Sequence, residues 1–299
     1  MPVRSNSFQK LVHLIENQLS GMASVEQSVE LVDVQNGERR EIDVVITVKS
    51  GDHRFRIGIE AVDRRGGTPW VESMITKHQG GQLTDRLILV AADGFTRGAI
   101  KKAAAANVEV VALGDGKSLD WAKTVGRYAS LWFGKVDLSP ESVSLTVKKQ
   151  GNAAQLEIGP DTMIVSGDRS KQFSLLQFVH YVLKGANILK EVYDRADREN
   201  LTTFKAEGTV AKEVYALDAA GEAYLIKSFC IEGTLDFGIA EFQVKKNSYR
   251  GAAVGHGEFE IGDKKGVVAI VEKQGEEAAF SVNLSDKDND PGTVVDLKP

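Results

Sequence analysis

The sequence contains few of the residues that mark several specialised classes of protein. Its 299 residues include one cysteine, Cys230, and 6 prolines. A single thiol cannot form an internal disulfide or a cysteine-rich zinc site, which fits a reducing compartment. The 42% hydrophobic and 26% charged residues exclude a collagen-like or wholly disordered chain. The composition is that of a globular protein.

Long hydrophobic runs are also missing. The longest strongly apolar run extends only from Leu87 to Ala92, whereas a membrane-spanning helix needs about 18 apolar residues. Residues 1–10 contain no apolar core of a signal peptide. We therefore expect a cytoplasmic protein that does not interact with a membrane.

Charge and length together predict two domains with different roles. The net charge is −5, so the whole chain gives no argument for binding a polyanion. Bases slightly outnumber acids over residues 1–135, whereas the remainder is acidic. Because the chain is about twice the common domain size, we expect one domain over 1–137 and a second over 138–299. The bases of residues 1–135 also have a simpler explanation: they are solvated charges on exposed strands.

The pattern of the first domain predicts an α/β fold with a mixed sheet. Apolar residues recur at helical spacing over 8–19, with Ser7 as a candidate cap and Gly21 as a stop. Tight-turn signals at Asn36-Gly37 and Gly51-Asp52 then separate β-type segments. The predicted elements are a helix at 8–19, strands at 25–34, 41–48 and 54–62, a helix at 69–78, a strand at 85–92, a helix at 96–106 and a strand at 108–113. This order describes antiparallel hairpins followed by crossover connections.

The second domain is predicted to be β-rich, a sandwich or barrel with one or two helices. Nine short strands are expected between 142 and 284, and one helical stretch near 172–196. The polar tail from Ser285 to Pro299 is expected to be poorly ordered.

The predicted hairpins align three carboxylates. A two-residue loop at Gly51-Asp52 places Asp43 opposite Glu60, and a two-residue loop at Asn36-Gly37 places Glu30 beside Asp43. Carboxylates about 5 Å apart repel one another, and a divalent cation with oxygen ligands is the natural counter-charge. Alternatively, a bulge moves one acid to the other face, or Arg54 and Arg56 neutralise the row. The shared face of Asp43 and Glu60 tolerates an even-numbered slip in register.

The residues in this region resemble the PD-(D/E)xK nuclease superfamily, and within it the Mrr-like restriction endonucleases. The resemblance covers about residues 7–115. It rests on Glu41-Ile-Asp43, Ile59-Glu60, Leu87-Ile-Leu-Val90 and Gly94-Phe-Thr96 with Ala99 and Ala103. It implies a restriction-endonuclease-like α/β core in which Asp43 and Glu60 hold Mg²⁺, with Mn²⁺ as a possible substitute. Glu30 and the main-chain carbonyl of Ala61 are further candidate ligands.

Two positions depart from the family pattern. The lysine expected two residues after the second acid is Val62, and the acid often found early in the first helix is Gln9, with Glu16 farther along. Some members of the superfamily supply the lysine from the following helix, which makes Lys77 the candidate. Trp70, Met74 and Lys77 would share one side of that helix. Arg64 is the other candidate substitute.

The resemblance implies a metal-dependent endonuclease that hydrolyses DNA, of a restriction or defence type. Arg54, Arg56, Arg64 and Arg65 are the candidate contacts to the phosphate backbone. A homodimer would supply one active site for each strand. Two other hypotheses stay open: a nuclease-like protein without activity that binds DNA or a partner, and an interaction protein whose acidic second half carries the main function.

Overall fold

The computed structural model shows a mixed α/β protein in which strands dominate. It describes residues 6–21, 23–50, 53–115, 119, 122, 124–127, 129–149, 152–154, 158–159, 162–184, 201–286 and 292–297. The chain forms two compact units: the first comprises Met1–Phe133 together with Ala240–Pro299, and the second comprises Gly134–Ile239. In the described part of the chain, no helix has the length and apolar character to cross a membrane.

The first unit contains the mixed sheet that the sequence predicts. Its strands are β1 (Ser24–Val32), β2 (Arg39–Ser50), β3 (His53–Val62), β4 (Arg86–Ala91) and β5 (Glu109–Ala112), in that spatial order. β1, β2 and β3 pair antiparallel, whereas β3, β4 and β5 pair parallel. The antiparallel strands are joined by short connections and the parallel strands by helices, as the chain direction requires.

Helix α1 (Ser7–Leu19) packs its apolar stripe on this sheet. The cap is Asn6 rather than the predicted Ser7: the Asn6 side chain accepts from the Gln9 backbone N–H, and the Gln9 side chain accepts from the Asn6 backbone N–H. This reciprocal pair is a capping box. It fixes the orientation of the Gln9 amide at the first turn of the helix.

Two further helices connect the parallel strands. Helix α2 (Thr68–Ile75) continues into a π turn over Thr76–Gly80, and helix α3 (Arg97–Ala105) leads into β5. The predicted helix over 69–78 is therefore not α-helical throughout. Phe95, Ala99 and Ala103 are buried against β4 in the core beneath α2 and α3. Val62, which stands where the resemblance would lead one to expect a lysine, is partly buried and packs against the same core.

The chain from residue 240 onward belongs to the first unit, which corrects the predicted second domain of 138–299. A second sheet consists of β6 (Gly114–Asp115), β14 (Lys245–Tyr249), β15 (Ala252–Ile261), β16 (Lys264–Glu272), β17 (Ala279–Ser285) and β18 (Thr293–Leu297). Their spatial order is β18-β17-β16-β15-β14-β6. Helix α4 (Thr124–Arg127) lies against it. Val254 and Ala269 share one buried cluster with α1 and the mixed sheet.

The final strand corrects a second expectation. Within the tail predicted to be poorly ordered, Thr293–Leu297 form β18, which pairs antiparallel with β17 from Phe280 opposite Leu297 to Leu284 opposite Thr293. Residues 287–291 and 298–299 of that tail lie outside the described residues. Its polar composition hid a short edge strand that is held by backbone pairing.

The sheet of the second unit consists of β7 (Ser130–Lys149), β8 (Asn152–Ala154), β9 (Met163–Ser166), β10 (Gln172–Ser174), β11 (Thr203–Thr209), β12 (Val214–Leu217) and β13 (Ala223–Gln243). Their spatial order is β10-β9-β12-β13-β7-β8, and β11 also pairs with β13. The first four residues of β7 and the last four of β13 belong to the first unit. The predicted helix at 172–196 is α5 (Leu175–Leu183) in the described residues, capped by Ser174; residues 185–196 lie outside them.

Candidate active site

The β2–β3 hairpin brings Asp43 and Glu60 together at one end of its paired region. The pairs run from Ser50 opposite His53 to Val44 opposite Ile59, which is the register that the sequence predicts. Asp43 and Glu60 are the next residues in the two strands. The Asp43 carboxylate reaches across, because its Oδ2 accepts from the backbone N–H of Ala61 at 2.8 Å. The loop Gly51-Asp52 itself lies outside the described residues.

Lys77, from the segment after α2, is the third residue of the site. Its Nζ donates to Glu60 Oε1 at 2.6 Å and to the backbone carbonyl of Glu41 at 2.5 Å. The Lys77 side chain is 21% exposed, so its ammonium is partly sheltered while remaining close to solvent. Of the two candidate substitutes for the missing lysine, Lys77 contacts Glu60 directly, whereas Arg64 is exposed in the loop after β3.

The backbone that carries Lys77 is the π turn over Thr76–Gly80. A π turn adds a residue to a helical turn and is frequent at functional sites. On an α-helix, successive side chains point about 100° apart. Here Lys77 and its neighbour His78 both bond the same oxygen of Glu60.

His78 is a site residue that the sequence did not identify. Its ring is buried, with Nε2 2.8 Å from Glu60 Oε1 and Nδ1 2.9 Å from Thr84 Oγ1. The five histidines show no metal-ligand spacing in the sequence, but such spacing does not reveal a histidine that bonds a carboxylate. The available signal was that His78 is adjacent to Lys77. Regular α-helical geometry, however, predicts that adjacent side chains point in different directions.

Gln9 bonds the other acid. Its Nε2 donates to Asp43 Oδ1 at 2.6 Å. Because Gln9 Oε1 accepts from Asn6 in the capping box, only the amide nitrogen faces Asp43. Gln9, at the position where the resemblance would lead one to expect an acid, thus supplies a hydrogen-bond donor to Asp43. Glu16, the acid farther along α1, instead accepts from the Tyr249 hydroxyl at 2.6 Å.

The electrostatics of the site act most strongly on Asp43. Burial and, after it, the charge of the neighbouring Glu60 carboxylate raise the pKa of Asp43 from 3.8 to about 7. The Ala61 N–H, the Gln9 amide and the Lys77 ammonium act in the opposite direction. Desolvation and a second negative charge both disfavour the ionised form. The site therefore favours the protonated form of Asp43 far more than water does for a free aspartic acid.

Glu30 does not join this group. The structure pairs Glu30 with Glu41, two residues from the expected position beside Asp43, and Glu30 Oε2 lies 3.2 Å from Arg39 Nη1. The loop explains the shift: Asp33 and Glu38 bond through their backbones at 2.8 Å around residues 34–37. The Asp33 side chain also accepts from the Gln35 N–H. This four-residue connection replaces the predicted two-residue turn.

The four candidate arginines lie on both sides of Glu60 along the chain. Arg54 and Arg56 precede it on β3, opposite Lys49 and Thr47, and their side chains are exposed. Arg64 and Arg65 follow it in the exposed loop after β3, where Arg65 Nη2 donates to the Phe95 carbonyl at 3.5 Å. These guanidinium groups are accessible to a polyanion.

The donor set is small and oxygen-based. Within the ranges that the structure describes, no group of three or more His, Cys, Asp and Glu side chains is arranged to hold a metal ion. Asp43 and Glu60 form a pair of carboxylates beside a lysine. Mg²⁺ is commonly bound by one or two carboxylates, with waters and substrate phosphates completing its shell.

Comparisons with known proteins identify no family. No protein-family model matches the chain, and no curated protein matches it. Among solved structures, the crystal structure of a protein of unknown function, AF1548, is similar at 15% sequence identity with a TM-score of 0.29. The match covers 36% of this chain and 57% of that one. A TM-score this low carries no argument about fold or activity.

Proposed function

We propose that the protein is a metal-dependent endonuclease that hydrolyses phosphodiester bonds in DNA, of a restriction or defence type. The observation that supports this most directly is the convergence of Asp43, Glu60 and Lys77, with Lys77 Nζ 2.6 Å from Glu60. Those residues come from β2, β3 and the π turn that follows α2. DNA as the substrate rests on the resemblance of the sequence.

The residues present fit a divalent cation. The Glu60 charge acts on the buried Asp43 carboxyl and raises its pKa, which is the repulsion that a cation between two carboxylates relieves. Glu60 Oε1 accepts from Lys77 and His78, so Oε2 is the oxygen that would bind a cation. A bound Mg²⁺ or Mn²⁺ would supply Lewis acidity to a water and to the phosphate.

The remaining chemistry belongs to the side chains of this chain. Lys77 uses two of its three N–H donors on Glu60 and the Glu41 carbonyl, and the third can orient a water or a phosphate oxygen. Asp43 is held through both of its oxygens, by Gln9 and by the Ala61 N–H. The exposed arginines would bind the backbone without reading sequence. A homodimer would bring two such sites to the two strands.

Incubation with supercoiled and linear DNA, with Mg²⁺, Mn²⁺ or chelator, tests this function. We expect metal-dependent cleavage that falls at least about 100-fold in Asp43→Ala, Glu60→Ala and Lys77→Ala. Lys102→Ala is the matched control, because Lys102 is an exposed lysine that pairs with Glu72 at 2.9 Å. Full activity in both acid variants would refute the proposal. Metal-independent DNA binding without cleavage would favour the inactive binding protein.

A further inference from the structure

The candidate active site contains a buried side chain that the proposed chemistry does not use. His78 is 2% exposed and lies between Glu60 Oε1, at 2.8 Å from Nε2, and Thr84 Oγ1, at 2.9 Å from Nδ1. An ionised carboxylate can only accept, so Nε2 is the donor to Glu60. The Thr84 hydroxyl can donate or accept, so it satisfies Nδ1 in either state of the ring. Both nitrogens are thus anchored.

The space that the ring occupies is kept open by a glycine. Gly58 lies two residues before Glu60 on β3, and therefore on the same face of the sheet. A Cβ added at Gly58 would lie 2.7 Å from His78 Cε1 and 2.9 Å from Thr84 Cγ2. Both distances are too short for carbon atoms in contact. The strand thus lacks a side chain at a position from which a side chain would displace the His78–Thr84 pair.

Lys77 alone cannot give Glu60 a single orientation during a reaction. Its ammonium terminates a flexible four-carbon chain and also bonds the Glu41 carbonyl. If Lys77 turns toward a water or a phosphate, Glu60 loses that partner. His78 keeps its bond in that case, because its buried ring is held from the other side by Thr84.

We propose that His78 is a positioning residue that holds Glu60 Oε1 and thereby directs Oε2 toward a divalent cation. The inference rests on the proposed function, since it concerns the same pair of acids. His78 itself is buried, so it would act through Glu60. Partners that orient a ligating side chain typically change metal affinity by 10–100-fold when they are removed.

The decisive measurement is Mn²⁺ binding to the full-length protein, read by electron paramagnetic resonance of the free ion. His78→Phe keeps a ring and removes the donor, His78→Gln restores an amide donor, and His180→Phe is the control at an exposed histidine. We expect His78→Phe to weaken Mn²⁺ binding at least about 10-fold and His78→Gln to recover most of it. In cleavage assays the same loss should appear in kcat, with KM for DNA unchanged.

Three outcomes separate the two proposals. Wild-type affinity for Mn²⁺ in His78→Phe would overturn the positioning role and leave the proposed function standing. Loss of Mn²⁺ binding without recovery in His78→Gln would also overturn it, because a packing role explains that result. A wild-type protein that binds no Mn²⁺ would overturn the proposed function, and this inference with it.

A second variant covers the case in which His78→Phe does not fold. Thr84→Val is close to isosteric and removes only the hydroxyl that anchors Nδ1. We expect it to weaken Mn²⁺ binding by a smaller factor than His78→Phe. Unchanged binding in Thr84→Val, with the metal-free melting temperature also unchanged, would overturn the positioning role.

Discussion

Asp43 should make the stability of the metal-free protein fall as the pH rises, and Asp43→Asn should remove that dependence. Burial, followed by the nearby Glu60 charge, raises the pKa of the Asp43 carboxyl from 3.8 to about 7. Between those two values the folded protein binds a proton that the unfolded chain has released. The free energy of unfolding therefore decreases with increasing pH across this window.

The size of the effect follows from the two pKa values. Each pH unit within the window lowers the free energy of unfolding by about 1.4 kcal/mol. Above pH 7 the protein has therefore lost about 4 kcal/mol of stability relative to pH values below 3.8. From pH 5 to pH 8 the loss due to Asp43 is about 2.5 kcal/mol. Below pH 3.8 this loss of stability is absent, since the carboxyl is protonated in both the folded and the unfolded state.

Asp43→Asn has a cost of its own, which does not depend on pH. The two Asp43 oxygens accept from the Gln9 amide and from the Ala61 N–H, whereas an asparagine amide offers one acceptor and one donor. Either the Gln9 amide or the Ala61 N–H then faces the asparagine NH₂ group and loses its acceptor, at a cost of about 1–3 kcal/mol. The informative quantity is the change with pH of the stability difference between variant and wild type.

Urea unfolding of both proteins at several pH values between 5 and 8, without divalent ions, measures this quantity. We expect Asp43→Asn to gain about 2.5 kcal/mol relative to the wild type from pH 5 to pH 8. Glu30→Gln is the control, since Glu30 is a surface carboxylate paired with Arg39. A stability difference for Asp43→Asn that stays flat over this range would refute the reasoning about the buried acid pair.

Three further predictions concern other parts of the molecule. Mn²⁺ affinity should fall about tenfold for each pH unit below the Asp43 pKa of about 7, because the ion must displace a proton; calorimetric titration at pH 6 and pH 8 measures it. Tyr249→Phe should lower the free energy of unfolding by about 1–3 kcal/mol, because the buried Glu16 loses the hydroxyl that donates to it at 2.6 Å; Tyr224→Phe is a comparison in the second unit, and equal urea midpoints for wild type and Tyr249→Phe would contradict the prediction. A fragment of residues 1–137 should fail to unfold cooperatively, because Val254 and Ala269 are part of its main core; a sharp melting transition for that fragment would show that it folds alone.

The local pattern of the sequence determined the elements of the mixed sheet and the main features of the site. Alternating apolar residues and the turn signal at Gly51-Asp52 determine the β2–β3 register, and this register places Asp43 and Glu60 side by side. The order of helices and strands follows from periodicity in the same way. These features depend on residues close together in the chain, which is why a sequence pattern can reveal them.

The rest was decided by contacts between distant residues. Glu30 lies opposite Glu41 and not beside Asp43, because the buried Asp33 side chain stabilises a longer connection than the Asn36-Gly37 signal predicts. His78 joined Lys77 on one oxygen of Glu60 because the helix widens into a π turn, a change that helical periodicity does not anticipate. Residues 240–299 belong to the first unit because α1 and the mixed sheet bury apolar surface against β15 and β16. Burial of that surface depends on which segments meet in space, and local sequence patterns carry no signal for it.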